Sequence, residues 1–380
     1  MIPKIFTRPI AGYNNVLKNN FLSRRFHIDP ILFFTLVGVC IIGLFILYSA
    51  SGRNMHLVSR QAIYMGVGLV CTLLLAQIKP VKLQDWMPFL YVAGIILLLI
   101  VLVAGKGAKG ATRWIALPGF RFQPSELLKL VVPLAIAAYL NKYPLPCGNK
   151  QIFVALLFIG IPVILVAKQP DLGTAILIAF SGMIILFMAG FRMRYIVILF
   201  LLAIPTCWIM WHFIMHDYQK QRVLTFINPE RDPLKAGWHI IQSKIAIGSG
   251  GIFGKGYLQG SQSHLNFLPE GHTDFIFAVL AEEFGLIGVC VLLLIYTLLI
   301  GRGVYIAMTS SSVFSRLAAG GIVLTFSFYI IINIGMVSGL LPVVGVPLPL
   351  ISRGGTSIVS LMAGFGVLMS IHTHKLLISK

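Results

Sequence analysis

Carboxylates are scarce in this sequence: 11 Asp and Glu among 380 residues, against 30 Lys and Arg, which leaves a formal charge of +19. Charged residues of both signs make up 11% of the chain, where a soluble globular domain carries about 25%. That shortage excludes a soluble fold. Cysteine is scarce too: Cys40, Cys71, Cys207 and Cys290 fall inside apolar runs and Cys147 in a short connection, so no disulfide framework is expected. The N-terminal tail carries Lys4, Arg8, Lys18, Arg24 and Arg25 but has no short apolar core ending in a small-residue cleavage site. It reads as a cytoplasmic segment followed by a retained span, not as a cleaved secretory signal.

What the chain has is apolar length: 58% hydrophobic residues and a mean hydropathy of +0.91. Runs near the roughly 20 residues that cross a bilayer fall at 31–50, 61–78, 87–104, 124–140, 151–167, 172–190, 195–214, 274–300, 316–338 and 356–374. The expected fold is therefore all-α, a polytopic integral membrane protein of ten transmembrane helices. Residues 1–30 form a cytoplasmic tail, 31–374 one membrane domain, 215–273 a large outer loop within it, and 375–380 a cytoplasmic end. With the N-terminus inside, inner segments hold fifteen basic residues and short outer loops eight, so the positive-inside rule places both termini in the cytoplasm. The large loop adds six more outside, and the short 105–123 connection is also basic. Long translocated loops escape the charge rule, but the short connection does not. An anionic ligand at the outer face would account for both.

Seven of the eleven acidic residues, Glu126, Asp171, Asp217, Glu230, Asp232, Glu270 and Asp274, lie at or near that outer face. Ionisable groups at membrane depth cost about 2.5–3.5 kcal/mol on insertion scales, so they face a wet cavity or a partner. In RFQPSELLKL, residues 121–130, Glu126 precedes Lys129 by one helical turn and can pair with it. This spacing fits an internal salt bridge, and equally a phosphate-binding Lys129, with Arg113 and Arg121, positioned by Glu126. In KQPDLGTA, residues 168–175, Asp171 reads first as a helix N-cap. Beyond Asp274, the small residues Ala278, Ala281, Gly285 and Gly288 make a stripe for close packing, which turns Asp274 toward protein. Glu283 points the other way, and Glu282 and Glu283 read as bundle or inner-side contacts.

Three further stretches carry weaker signals. GSGGIFGKG, residues 248–256, departs from a phosphate loop because Ser249 stands at its first glycine and Gly256 at its final Ser or Thr. No nucleotide cofactor is expected. His212 and His216 have metal-pair spacing with only Asp217 nearby, and a polar helix end is the plainer reading. In PLPLISRGGTS, residues 347–357, Arg353 with Gly354 and Gly355 fits an anion cradle or an ordinary tight turn.

The stretches RWIALPGFRFQPSELLKL (113–130), KQPDLGTA (168–175), the glycine-rich run 237–285 ending in PEGHTDFIFAVLAEEFG, and PLPLISRGGTS (347–357) together resemble the SEDS family (shape, elongation, division and sporulation), its elongation branch more than its division branch. The resemblance implies a bacterial inner-membrane glycosyltransferase with its active site in the periplasm. Its substrate would be lipid II, the undecaprenyl-pyrophosphate-linked disaccharide pentapeptide, polymerised into peptidoglycan. It implies Asp274 as catalytic carboxylate and Arg113, Arg121, Glu126, Lys129, Asp171 and Gln219 around a polar cavity. Gly271 departs from the larger residue expected before HTDF. Implied partners are a class B penicillin-binding protein transpeptidase, the elongation complex and membrane lipid, with no nucleic acid. A divalent metal, Mg or Mn, is the one cofactor to consider, with Asp274 as ligand instead of base. Two other classes fit the residues: a flippase of the lipid-linked precursor, which needs access from both faces, and a scaffold, for which Asp274 is dispensable.

Overall fold

The computed structural model describes residues 27–374 apart from 105, 109–110, 118–119, 192–194, 196–200, 202–204, 206–207, 216–219, 221–223, 226–235 and 265–270. The first helix, α1 (Pro30–Ala50), starts where Asp29 accepts a 3.2 Å hydrogen bond from Leu32 N and Pro30 fills the first turn. Gly52 and Arg53, both at positive φ, turn the chain, and Asn54 caps α2 (Met55–Gln77) through His56 N and Leu57 N. Then follow α3 (Pro80–Ala104), α4 (Pro124–Leu140), α5 (Asn149–Lys168) and α6 (Leu172–Met188).

The segment between α3 and α4 adds one non-helical feature to the all-α fold. It forms a small antiparallel meander of β1 (Lys106–Ala108), β2 (Ala111–Leu117) and β3 (Phe120–Phe122), with Gly107 opposite Thr112 and Ala116 opposite Arg121. The run is too short and polar for a further span, and strand pairing satisfies its backbone.

The seventh expected span, 195–214, falls largely outside the described residues, which include its π-helical end at Met210–Ile214. The expected outer loop contains a fifteen-residue helix, α7 (Ala236–Gly250), and a single turn, α8 (Ser261–His264). The last three helices are α9 (Ile276–Met308), α10 (Val313–Val337) and α11 (Gly355–Thr373). Nine of the ten expected spans thus coincide with α1–α6 and α9–α11. Among the described residues, seven helices are long and apolar enough to cross a membrane, and α6 is a shorter apolar one. α4 and α10 are buried along most of their lengths. α6, α9 and α11 pack around them, with α2 laid along α11 and α1 along α9.

The two ends of the described chain meet. The His27 and His374 rings stack with centroids 4.0 Å apart, and fully buried Asp29 pairs with Arg302 of α9 at 2.7 Å, with His372 of α11 at 3.4 Å. The ten crossings expected from the sequence would bring the two ends to one side. We call this the terminal end and the opposite one the loop end.

α9 is two helices rather than one. Gly285 sits at φ 62°, ψ −160°, and backbone from the glycine-rich run stitches the break. Lys255 N and Gly256 N donate to the carbonyls of Glu282 and Glu283, while Leu286 N and Ile287 N donate to Gly251 and Ile252. Side chains reinforce the clasp: Glu282 Oε1 accepts from Lys255 Nζ at 2.7 Å, Ser261 Oγ at 3.2 Å and Gln262 N at 2.9 Å, and Glu283 accepts from Ser49 Oγ of α1. Beside them Tyr257 stacks on Phe45; burial, and then the Glu283 carboxylate, raise its phenol above the ordinary range. One expectation changes here: the small-residue stripe does not run along one helix, because Gly285 interrupts it. Glu282 and Glu283 are bundle contacts at the loop end, as one of the two readings of them has it. Gly254 is expected to tolerate no side chain, since its φ is +79° and a Cβ would meet the Glu283 carbonyl. Gly254→Ala should cost about 1–2 kcal/mol in backbone conformation alone, seen as a lowered unfolding midpoint in detergent; an unchanged midpoint would contradict the clasp.

Candidate active site

The site is built at the loop end from the starts of α4 and α6, the end of α10, and the two turns 271–275 and 343–354. Pro124 opens α4 and places Glu126 and Lys129 one turn apart on a buried helix. Lys129 Nζ lies 2.6 Å from Glu126 Oε1 and 5.1 Å from the centroid of the Tyr329 ring of α10. Both members of the pair are over nine-tenths buried, so each charge depends on the other for its solvation. Asp171 caps α6, its Oδ1 accepting from Thr174 N at 3.4 Å, and its Oδ2 accepts a long 3.5 Å bond from Gln123 Nε2, just before α4. The same amide donates to Ser125 Oγ at 3.0 Å. The expected cap is therefore real, and it also joins α6 to the start of α4.

Asp274 precedes α9, in the turn before Ile276. Asn333, one turn along α10 from Tyr329, donates to Asp274 O at 2.9 Å and to Val346 O at 2.7 Å. Gly345, at φ +79°, faces the Asp274 carboxylate: a Cβ there would stand 3.4 Å from Oδ2. Val344 packs on Gly173 in the first turn of α6, where a Cβ would strike it. The 343–346 segment thus lies between Asp171's helix and Asp274. Lys129, Tyr329, Asn333 and Asp274 follow one another along the inner face of α10.

Two cavities meet at Glu126. A groove of about 510 Å³ runs between α2, α4 and α11, lined by Arg60, Ile63, Tyr64, Val67, Leu127 and Val359 among others. A smaller cavity of about 40 Å³ holds Lys129, Thr325, Phe326 and Tyr329. Glu126 and Ser360 line both. The groove is largely apolar, with polar groups from Arg60, Tyr64, Glu126, Thr356 and Ser360, and Ile63 and Val67 also face outward from α2.

The remaining expected site residues divide. Arg113 lies in β2 and Arg121 in β3, three residues before α4 opens at Pro124. Arg353 enters through its backbone, whose N donates to His272 O at 3.2 Å. Gln219 lies outside the described residues, as do His216 and Asp217. Among the described residues no three His, Cys, Asp or Glu side chains come close enough to hold a metal ion. Among those residues Asp274 would offer Mg or Mn a single carboxylate, and phosphate oxygens of a substrate would have to complete the shell. Residue reading missed Tyr329, Asn333, Ser352 and Gln61. An amide inside an apolar span was the available signal for Asn333, because such a group costs free energy unless it has partners.

The family model that matches this chain, that of the cell cycle proteins FtsW, RodA and SpoVE, covers residues 30–376. Peptidoglycan glycosyltransferase MrdB of Escherichia coli (strain K12) is 50% identical over 356 residues, 94% of this chain and 96% of the relative. A probable peptidoglycan glycosyltransferase FtsW of Trichlorobacter lovleyi is 37% identical over 359 residues, 90% of this chain and 92% of the relative. Among solved structures, one chain of a peptidoglycan synthase complex, from work on how polymerization and crosslinking are coordinated, superposes with a TM-score of 0.80 at 32% identity, covering 92% of this chain and 99% of that one. The rod shape determining protein RodA of Thermus thermophilus superposes with a TM-score of 0.70 at 30% identity, covering 92% and 98%.

Proposed function

The chain belongs to the FtsW, RodA and SpoVE family, and from that premise we propose that the loop-end cluster polymerises lipid II at the outer face of the bacterial inner membrane during cell elongation. The protein is a membrane-embedded peptidoglycan glycosyltransferase. Identity of 50% to the MrdB relative against 37% to the FtsW relative favours elongation over division.

The observation that carries this reading is the meeting of an apolar groove with buried charge at Glu126 and Lys129. A donor carried on undecaprenyl pyrophosphate needs both: a slot for the lipid, and a cation where the diphosphate leaves. Asp274 takes the proton of the acceptor sugar 4-hydroxyl as that oxygen attacks the donor anomeric carbon. The new C–O bond forms with inversion while the bond to the diphosphate breaks, and the leaving group departs with its electron pair. No acid is needed for such a leaving group, in contrast to the carboxylate pair of ordinary glycoside hydrolysis. Lys129, held by Glu126, with Arg113, Arg121 and Arg353, stabilises the charge that develops on it. Asp171 supports the polar wall. A metal bound by Asp274 and the diphosphate would supply the same charge stabilisation; no step here depends on it.

A transporter would open the site to both ends, and the Asp29, Arg302 and His372 cluster that ties α1, α9 and α11 at the terminal end weighs against it. Both termini then lie in the cytoplasm. A class B penicillin-binding protein is the partner expected to crosslink the product. Incubation of the protein in proteoliposomes with lipid II and that partner should yield glycan strands and free undecaprenyl pyrophosphate together. The appearance of neither would overturn the reading.

A further inference from the structure

The three carbonyls that lead into α9 are each held from outside their own segment. His272 O accepts from Arg353 N at 3.2 Å, Thr273 O from Ser352 Oγ at 2.6 Å, and Asp274 O from Asn333 Nδ2 at 2.9 Å. The Asn333 amide divides its two protons between Asp274 O and Val346 O, so one side chain ties the 271–275 turn to the 343–346 segment. Ser352 is fixed in turn. Its Oγ accepts from Leu348 N at 2.8 Å, and Gln61 of α2 brackets the turn, donating to Ser352 O at 3.0 Å and accepting from Gly354 N at 3.4 Å. Asn333, Ser352 and Gln61 are all at most 2% exposed.

Most buried polar side chains are hydrogen-bonded; Asn333 Oδ1 has no partner among the described residues, while the donors of Asn333 and Ser352 converge on one short stretch of backbone. Holding successive carbonyls fixes successive peptide planes, and with them the direction of the Asp274 Cα–Cβ bond. Only the two side-chain torsions of Asp274 are then left to set. Proton transfer to a carboxylate needs heavy atoms within about 2.6–3.2 Å, and a misplacement of about 1 Å can cost about 100-fold in rate. We propose that Asn333 and Ser352, with Gln61 behind them, are positioning residues for glycosyl transfer. They aim Asp274 and do not touch the substrate. On this account PLPLISRGGTS also serves as the back wall of the catalytic turn. The proposal rests on Asp274 being the base.

The test measures kcat and KM for lipid II in proteoliposomes with the transpeptidase partner, alongside the unfolding midpoint. Asn333→Asp keeps the shape but turns an acceptor toward two carbonyls, and should lower kcat about 100-fold with KM within about twofold. Ser352→Ala, which deletes one hydroxyl, should lower kcat about tenfold by a smaller displacement of the same turn. It carries the test if Asn333→Asp does not fold. Wild-type kcat in a folded Ser352→Ala or Asn333→Asp would overturn the proposal, as would a parallel loss of kcat, substrate binding and midpoint, the signature of a purely structural role. Asp274→Asn serves as the reference: full activity there would remove the base, and the positioning proposal with it. A dead Asp274→Asn beside fully active positioning variants would remove the positioning proposal alone.

Discussion

Asp274→Asn is expected to lower kcat for lipid II polymerisation by about 10²–10⁴-fold, the range a positioned general base contributes. The amide matches the carboxylate in shape but cannot take the acceptor proton. Folding should persist, because the bond from Asn333 goes to the Asp274 backbone carbonyl, which the substitution keeps, and the amide keeps the carboxylate's shape. KM should change little, since the groove and the cations bind the donor. Steady-state polymerisation of labelled lipid II measures both constants, and a kcat within about twofold of wild type would remove Asp274 from the chemistry.

Lys129→Met should have the second large effect, on stability and rate together. Glu126 would remain buried in α4 without the cation 2.6 Å away, and breaking a buried pair by removing one partner costs about 3–5 kcal/mol. The unfolding midpoint should fall sharply and polymerisation should stop. Replacing both residues, Glu126→Gln with Lys129→Met, separates the two roles: the midpoint should recover because no charge is left unpaired, while activity should not. Wild-type polymerisation by the double variant would reduce the pair to a salt bridge, one of the two readings of its sequence spacing.

The bundle was legible because its signal is local. Each span is an apolar run of bilayer length, and α1–α6 and α9–α11 sit where those runs lie. The Glu126 and Lys129 pair and the Asp171 cap were legible for the same reason, since their partners are three residues away. The surroundings of Asp274 were not. Its turn is held by Asn333 and Ser352, at sequence separations of 59 and 79 residues, and no periodicity reports such contacts. The stripe from Ala278 to Gly288 misled because Gly285, at positive φ, ends one helix and begins another where the helical period assumes continuity. The glycine run 248–256 had the composition of a phosphate loop, but its glycines admit the close approach of backbone to the carbonyls of Ala281 and Glu283. The basic 105–123 connection reads as a loop by composition, and its strand pairing depends on backbone bonds that side-chain pattern does not specify.

The most direct test follows polymer growth and lipid II crossing in the same proteoliposomes, for wild type and Asp274→Asn at matched folding and with the transpeptidase partner present. The expected result is glycan polymer from the wild type alone, with no protein-dependent crossing by either. Lipid II crossing the bilayer without polymer, or equal polymer from both proteins, would contradict the assignment of glycosyl transfer to Asp274.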